Sequence, residues 1–210
     1  DHRDLHSFPT RRSSDLIKAG IGTWRLSAAN TFSGTTAVSG GTLALTGANG
    51  SIASSTGYTL SGGGTLLLDN TAAANNTNRL RDASTLTLSG GTLALSNDGG
   101  SADFAENAGA VSVTQGANTI SASPAAALQT STLRFASLAR TGGTLNFTGE
   151  GLGASDQNRI FITGRSDGLI GTWATVNGTS YAAYSSAAGV YASGLTVTNI
   201  AAQGPDADSV

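Results

Sequence analysis

The chain has no cysteine, no methionine, only three prolines and two tryptophans, and a formal net charge of −2. Without cysteine there is no disulfide and no thiolate metal site, although the compartment stays open. Methionine is missing even at position 1, so the sequence is expected to be a piece of a longer protein. Charged residues make up 11% of the chain and form no basic stripe, which argues against a nucleic-acid partner. No run of about 18 apolar residues occurs, so no membrane-spanning helix is expected. Disorder usually joins low hydrophobicity to high net charge. Here 39% of the residues are hydrophobic.

Both histidines, His2 and His6, lie in the first sixteen residues, with Arg3, Arg11 and Arg12 beside them. That segment, Asp1 to Leu16, resembles the translation of a sequencing adapter, in register over all sixteen codons. It is therefore read as non-native and disordered, with no stable structure expected before about Gly20. Foreign segments are set aside in fold reasoning. Residues 17–210 then hold no histidine and no cysteine. A Ser-His-Asp triad, a Cys-His pair and a zinc site cannot be built from them.

Glycine is abundant, with 29 residues, and it is placed in a pattern. Ser39-Gly40-Gly41-Thr42-Leu43, Gly63-Gly64-Thr65-Leu66, Ser89-Gly90-Gly91-Thr92-Leu93 and Thr141-Gly142-Gly143-Thr144-Leu145 repeat one text. The leucines are 23, 27 and 52 residues apart, and 52 is two periods of 26. Such periods mark stacked units that bury their apolar faces against their neighbours.

Each copy leads into alternation: Leu43-Ala44-Leu45, Leu66-Leu67-Leu68, Leu93-Ala94-Leu95 and Leu145-Asn146-Phe147. Period two puts the first and third residue on one face of a strand. Further strands are expected at Tyr58–Leu60, Leu86–Leu88, Val111–Val113, Leu133–Phe135, Ile160–Ile162 and Leu195–Val197, where Thr, Val and Leu supply the preference. Two architectures fit. Gly-Gly can be a hairpin turn, giving an antiparallel β-sandwich, or a corner of a coil whose strands stack in parallel. The recurrence of one text at one spacing favours the corner, because stacked positions want the same side chain. The expected fold is all-β, a parallel β-helix over residues 17–200 with a polar tail at 201–210. The four repeated leucines are expected to stack on one another. Roughly seven coils at about 4.8 Å would make a rod on the order of 35 Å long.

Residues 22–47 carry Gly-x-Trp-x-Leu, then Asn-Thr-Phe-Ser-Gly, then Gly-Gly-Thr-Leu-x-Leu. This text resembles the passenger-associated β-strand repeat of bacterial autotransporters. Trp24, Leu26, Asn30, Thr31, Phe32, Gly34, Thr35, Val38, Gly41, Thr42, Leu43 and Leu45 sit on the family's positions, with Ala37 inserted before Val38. Asp167 to Gly178 also resembles a segment that follows such repeats. The resemblance implies a right-handed β-helical passenger at the bacterial cell surface. Its implied partners, flanking repeats and an outer-membrane β-barrel, would lie outside this sequence. The function it implies is a stalk that supports adhesion. The alternative is a carbohydrate-binding or carbohydrate-active β-helix.

No catalytic, cofactor-binding or metal-binding residue is assigned. The richest acidic loop, Asn97 to Asp103 with Glu106 beyond, has oxygen ligands for Ca²⁺ but neither the EF-hand nor the Gly-Gly-x-Gly-x-Asp spacing. Asp98, Asp103, Asp156 and Asp167 are the pool for a glycosidase carboxylate pair, and none lies in a motif. The glycine runs lack the Gly-Lys-Ser/Thr of a phosphate loop. Trp24 and Trp173, each closing a Gly-Thr-Trp, are expected to cap or fill the stack rather than bind sugars. Asn49, Asn70 and Asn97 each follow a Leu-x-Leu strand, and a turn ladder is expected of them.

Overall fold

The computed structural model describes residues 15–70, 75–97, 103–124 and 129–196. Residues 1–14, the tail 201–210, Val197 and Asp98 lie outside the described residues. In chain order the strands are β1 (Leu16–Lys18), β2 (Thr23–Leu26), β3 (Thr35–Val38), β4 (Thr42–Leu45), β5 (Gly57–Ser61), β6 (Thr65–Asp69), β7 (Thr85–Ser89) and β8 (Thr92–Ser96). They continue with β9 (Phe104–Gln115), β10 (Ala117–Ala122), β11 (Ser131–Arg140), β12 (Thr144–Thr148) and β13 (Asn158–Ile162). The last four are β14 (Gly168–Leu169), β15 (Ala174–Val176), β16 (Ser180–Ser185) and β17 (Gly189–Thr196). No helix occurs among the described residues.

Odd-numbered strands β1 to β13 form one parallel sheet in the order β1-β3-β5-β7-β9-β11-β13. The other sheet runs β2-β4-β6-β8-β10-β12-β15, parallel throughout, and then continues antiparallel into β16. Each coil therefore gives one strand to each sheet. This is the expected parallel β-helix, and the sandwich is set aside.

The core lies between the sheets and is built from ladders of equivalent residues. Trp24, Leu43, Leu66, Leu93, Ile120, Phe147 and Val176 occupy one register column. Val38, Leu60, Leu88 and Val113 form a column in the facing sheet, and all four are buried. A fully buried leucine contributes roughly 2 kcal/mol. Outside the second sheet, Thr23, Thr42, Thr65, Thr92 and Thr119 make a ladder of their own. Its β-branched side chains suit a strand.

The Gly-Gly units are corners, as read. Gly41 has φ +59°, and a Cβ there would lie 2.6 Å from Gly20 O. Gly91 has ordinary φ, but a Cβ would lie 2.6 Å from the Leu60 side chain one coil below. In the first copy Gly41 thus serves both backbone conformation and close approach, whereas in the third the two needs are divided between Gly90, φ +91°, and Gly91.

Two expectations need correction. Order begins earlier than Gly20: β1 pairs with β3 through Leu16↔Thr36, Ile17↔Ala37 and Lys18↔Val38. Asp15 accepts hydrogen bonds from Thr35 N and Oγ1 at 2.7 and 3.0 Å. An alternating Leu-Ile-Lys beside an open strand edge can pair whatever its origin. The second correction concerns Leu145, which leaves the column of Leu43, Leu66 and Leu93. It pairs with Asn118, and that column passes instead to Ile120 and Phe147. The fourth copy has slipped by two residues, and a shift of two keeps every side chain on its face, so Leu145 remains buried. Asn118 makes the slip possible. It stands over the Gly91 corner, where its Oδ1 accepts from Gly90 N at 2.6 Å and Gly91 N at 3.3 Å. Its Nδ2 donates to Gln115, Gly116 and Thr144 carbonyls.

Candidate functional site

The acidic candidates do not converge. Asp103 Oδ1 accepts from Thr130 N at 2.7 Å, Asp156 pairs with Arg159, and Asp167 Oδ1 accepts from Ser186 N at 2.7 Å. Asp103 and Asp167 each tie a loop to the neighbouring backbone, and Asp156 pairs with a side chain three residues along. Among the described residues no three His, Cys, Asp or Glu side chains gather as metal ligands.

Glu106 goes elsewhere. It lies on β9, fully buried, and points back one coil. Its Oε1 accepts from Leu80 N at 2.7 Å and its Oε2 from Arg79 N at 3.1 Å. Residues 79–80 are not in a strand, so the carboxylate supplies the acceptors that a strand would have supplied. Burial pushes the Glu106 carboxyl up to about 7, against the pull of the two N–H groups and the Arg79 charge.

Arg79 is also fully buried. Its Nη1 donates to Gly50 O at 2.6 Å, and its Nη2 to Gly47 O and Asp69 O, both at 2.9 Å. Its Nε donates to Asn70 Oδ1 at 3.0 Å. Desolvation lowers its pKa. Tyr58 completes the group: its hydroxyl donates to Ile52 O at 3.2 Å and accepts from Arg81 N at 2.7 Å. Burial raises that phenol to about 12. Glu106, Arg79 and Tyr58 thus hold the irregular side of the coil by closing backbone hydrogen bonds, with Asn70 fixing the Arg79 side chain. Buried charge is tolerable only when its hydrogen bonds are made, and these bonds occupy both Glu106 oxygens and all three Arg79 nitrogens.

Of the expected asparagine ladder, two members stand. Asn70 and Asn97 are buried on adjacent coils, with Asn70 N donating to Ser96 O at 2.8 Å. Asn49 is exposed, and Gly47 supplies the carbonyl to Arg79 instead. Arg79 was not singled out in the sequence, where Asn75-Asn76-Thr77-Asn78-Arg79 reads as a polar loop.

Both tryptophans sit at ends of the stack beneath a cation. Lys18 Nζ lies 5.5 Å from the Trp24 ring, and the Arg140 guanidinium lies 5.5 Å from the Trp173 ring. Lys18 and Arg140 are the two ends of the Val38–Leu60–Leu88–Val113 column. Lys18 is fully buried and donates to the Ala19, Gly20 and Gly40 carbonyls at 2.8–3.1 Å. The capping role expected of the tryptophans is what these contacts describe.

The C-terminal end is closed by backbone as well. Residues Asp167 to Gly178 lie within it: β14 and β15 both pair antiparallel with β16, which pairs antiparallel with β17. Gly189 packs so closely on β13 that a Cβ would collide with Ile160 O, and Ile162 N donates to Tyr184 Oη at 3.4 Å.

These arrangements order a coil stack and seal its ends. Comparison with curated proteins and with solved structures returns no match. Residues 16–45, from the first residue of β1 to the last of β4, match the family model of the passenger-associated-transport-repeat, and the match spans the first two coils.

Proposed function

We propose that the chain is a length of stalk from the surface-exposed passenger of a bacterial autotransporter-like protein, supporting adhesion by holding other regions away from the cell. The observation that carries the reading is the coincidence of family match and geometry. The matched repeat is two whole coils, and the same strand pairing then continues upward to the cap. Its work is mechanical. Local contacts let each coil fold on the one before, which suits a chain that emerges end first and lacks disulfides.

The test places the chain between a secretion signal and an outer-membrane β-barrel in a Gram-negative host. The expected result is a β-rich segment that antibody and protease reach on intact cells. Retention inside the cell, or a surface segment without the β-sheet spectrum, would overturn the proposal. Adhesion is read separately, as the attachment of cells carrying the segment with its natural flanking regions.

A further inference from the structure

Between the two ends of the odd-numbered sheet, two stretches of strand are accompanied on one edge only. One is the first half of β9, where β7 begins pairing only at Val111 and the Glu106 carboxylate meets the backbone of residues 79–80 instead. The other is the last part of β11. β13 accompanies β11 only from Ser131↔Asn158 to Phe135↔Ile162, and Thr163 N adds one bond to Phe135 O at 2.9 Å. The chain then turns away at Gly164, φ +71°. Ser137 to Arg140 stay paired with Ala110 to Val113 of β9. On the opposite side, among the described residues, no strand accompanies them. Ser137, Ala139 and Arg140 are exposed.

A cavity of about 450 Å³ lies along this edge, between Ser137–Leu138 and the 162–169 loop. A smaller hollow of about 210 Å³, lined by Arg134 and Ala136 among others, adjoins it at Thr163. The groove is bracketed by arginines. Arg134 stacks on Phe161 at 4.4 Å, and Arg140 closes the far end of the strand. Arg165 faces the edge from the loop and donates through Nη2 to Leu169 O and Ile170 O at 3.3 and 2.8 Å. Its Nε is buried without a partner. None of the three has a carboxylate within ion-pair distance among the described residues. Asp167 lines the larger hollow and Asp82 the smaller, and Asp167 is already engaged by Ser186 N.

An unpaired strand edge offers backbone donors and acceptors to any extended chain. Arg134 and Arg140 are six residues apart, about 20 Å along a strand. We propose that the open edge of β11 takes up an extended acidic peptide as an added strand. Backbone hydrogen bonds to Ser137–Arg140 would set its register, and Arg134, Arg140 and Arg165 would receive its carboxylates. The site is separate from the stalk reading and stands or falls without it.

The probe is a fluorescent eight-residue peptide alternating valine and glutamate, titrated into the whole chain and followed by anisotropy and by hydrogen exchange. Saturable binding is expected, with slowed exchange confined to those 136–140 amides that do not donate to β9, which should exchange fast in the free protein. A peptide with proline at its centre should bind at least tenfold more weakly. Arg134→Gln and Arg165→Gln should each weaken binding about fivefold to tenfold. Arg134 lies on β11 and does not hold the 162–169 loop, so it tests the idea even if Arg165→Gln loosens that loop. Equal binding of the proline peptide, or equal displacement by a linear polyuronate, would mean ion exchange and overturn the strand. Protection, without peptide, of the 136–140 amides that do not donate to β9 would show the edge already covered, and would overturn it too.

Discussion

The two ends of the stack finish the same core in different ways. Each places a cation over a tryptophan at the end of the valine–leucine column, and each tryptophan closes a Gly-Thr-Trp. Beyond that they diverge. At the first coil no strand among the described residues covers β1 and β2, and Ile17, Ile21 and Trp24 are exposed at 62%, 99% and 49%. At the last coil the chain reverses, and antiparallel β16 and β17 cover what a further coil would have covered. Both ends place a cation and a tryptophan on the column, but at the last coil reversed strands also take up backbone hydrogen bonds that another coil would have taken.

A break in the middle should act on both ends at once, and it should be the largest effect. Leu93→Asp puts an unpaired carboxylate into the central column, a loss of roughly 4 kcal/mol or more. Far-UV circular dichroism should show a collapsed unfolding transition, and an unchanged midpoint would remove Leu93 from the core. The capped end should come next. Gly189→Ala combines a left-handed backbone with a collision against Ile160 O and should lose about 2–3 kcal/mol. Gly22→Ala, with similar φ but nothing near its Cβ, should lose only about 1 kcal/mol. Equal losses in thermal melts would erase the contrast between a packed and an open end.

The two cations should separate similarly. Lys18→Met strands three carbonyls and should lose about 1–3 kcal/mol. Arg140→Met gives up an exposed stacking contact and one hydrogen bond, about 0.5–1 kcal/mol. A pH dependence should appear away from both ends. Glu106 has its folded pKa raised to about 7. Its contribution is complete below the ordinary glutamate range and is lost as pH rises through about 7. The melting temperature should therefore fall across that interval, and Glu106→Gln should flatten the slope. A slope that survives the substitution would assign it to another group.

The regular coils were legible because stacking writes itself into sequence. Thr42-Leu43-Ala44-Leu45 and Thr92-Leu93-Ala94-Leu95 name both the strand and its buried face. β10 was missed because Asn118 stands where the glycine corner should be, so its coil lacks the repeated text. The slip at Leu145 was hidden for the same reason, since 52 residues divide evenly by a period that no pair of adjacent coils there uses. Glu106 was weighed as a loop ligand because its partners are backbone groups of residues 79–80, and backbone groups leave no mark in composition. The open edge of β11 follows from where β13 stops, which depends on three-dimensional pairing rather than on any motif.

The two-residue slip bears on how such a gene can change length. Repeated text invites recombination between copies. An exchange between the third and fourth Gly-Gly-Thr-Leu would delete 52 residues and join Thr92 to Leu145. Leu145 would then inherit the column of Leu93, and Phe147 that of Leu95. The faces would still match, and β15 would stay paired with β12, yet the cap would arrive two places out of step with the coils below, with Val176 over the Leu95 column instead of that of Leu93. Exchange among the first three copies keeps the leucine columns in register, although one between the first two would delete Gly47 and Gly50 and take carbonyls from Arg79. Register alone lets the first coils change in number, whereas the last coils and the cap are inherited as one block.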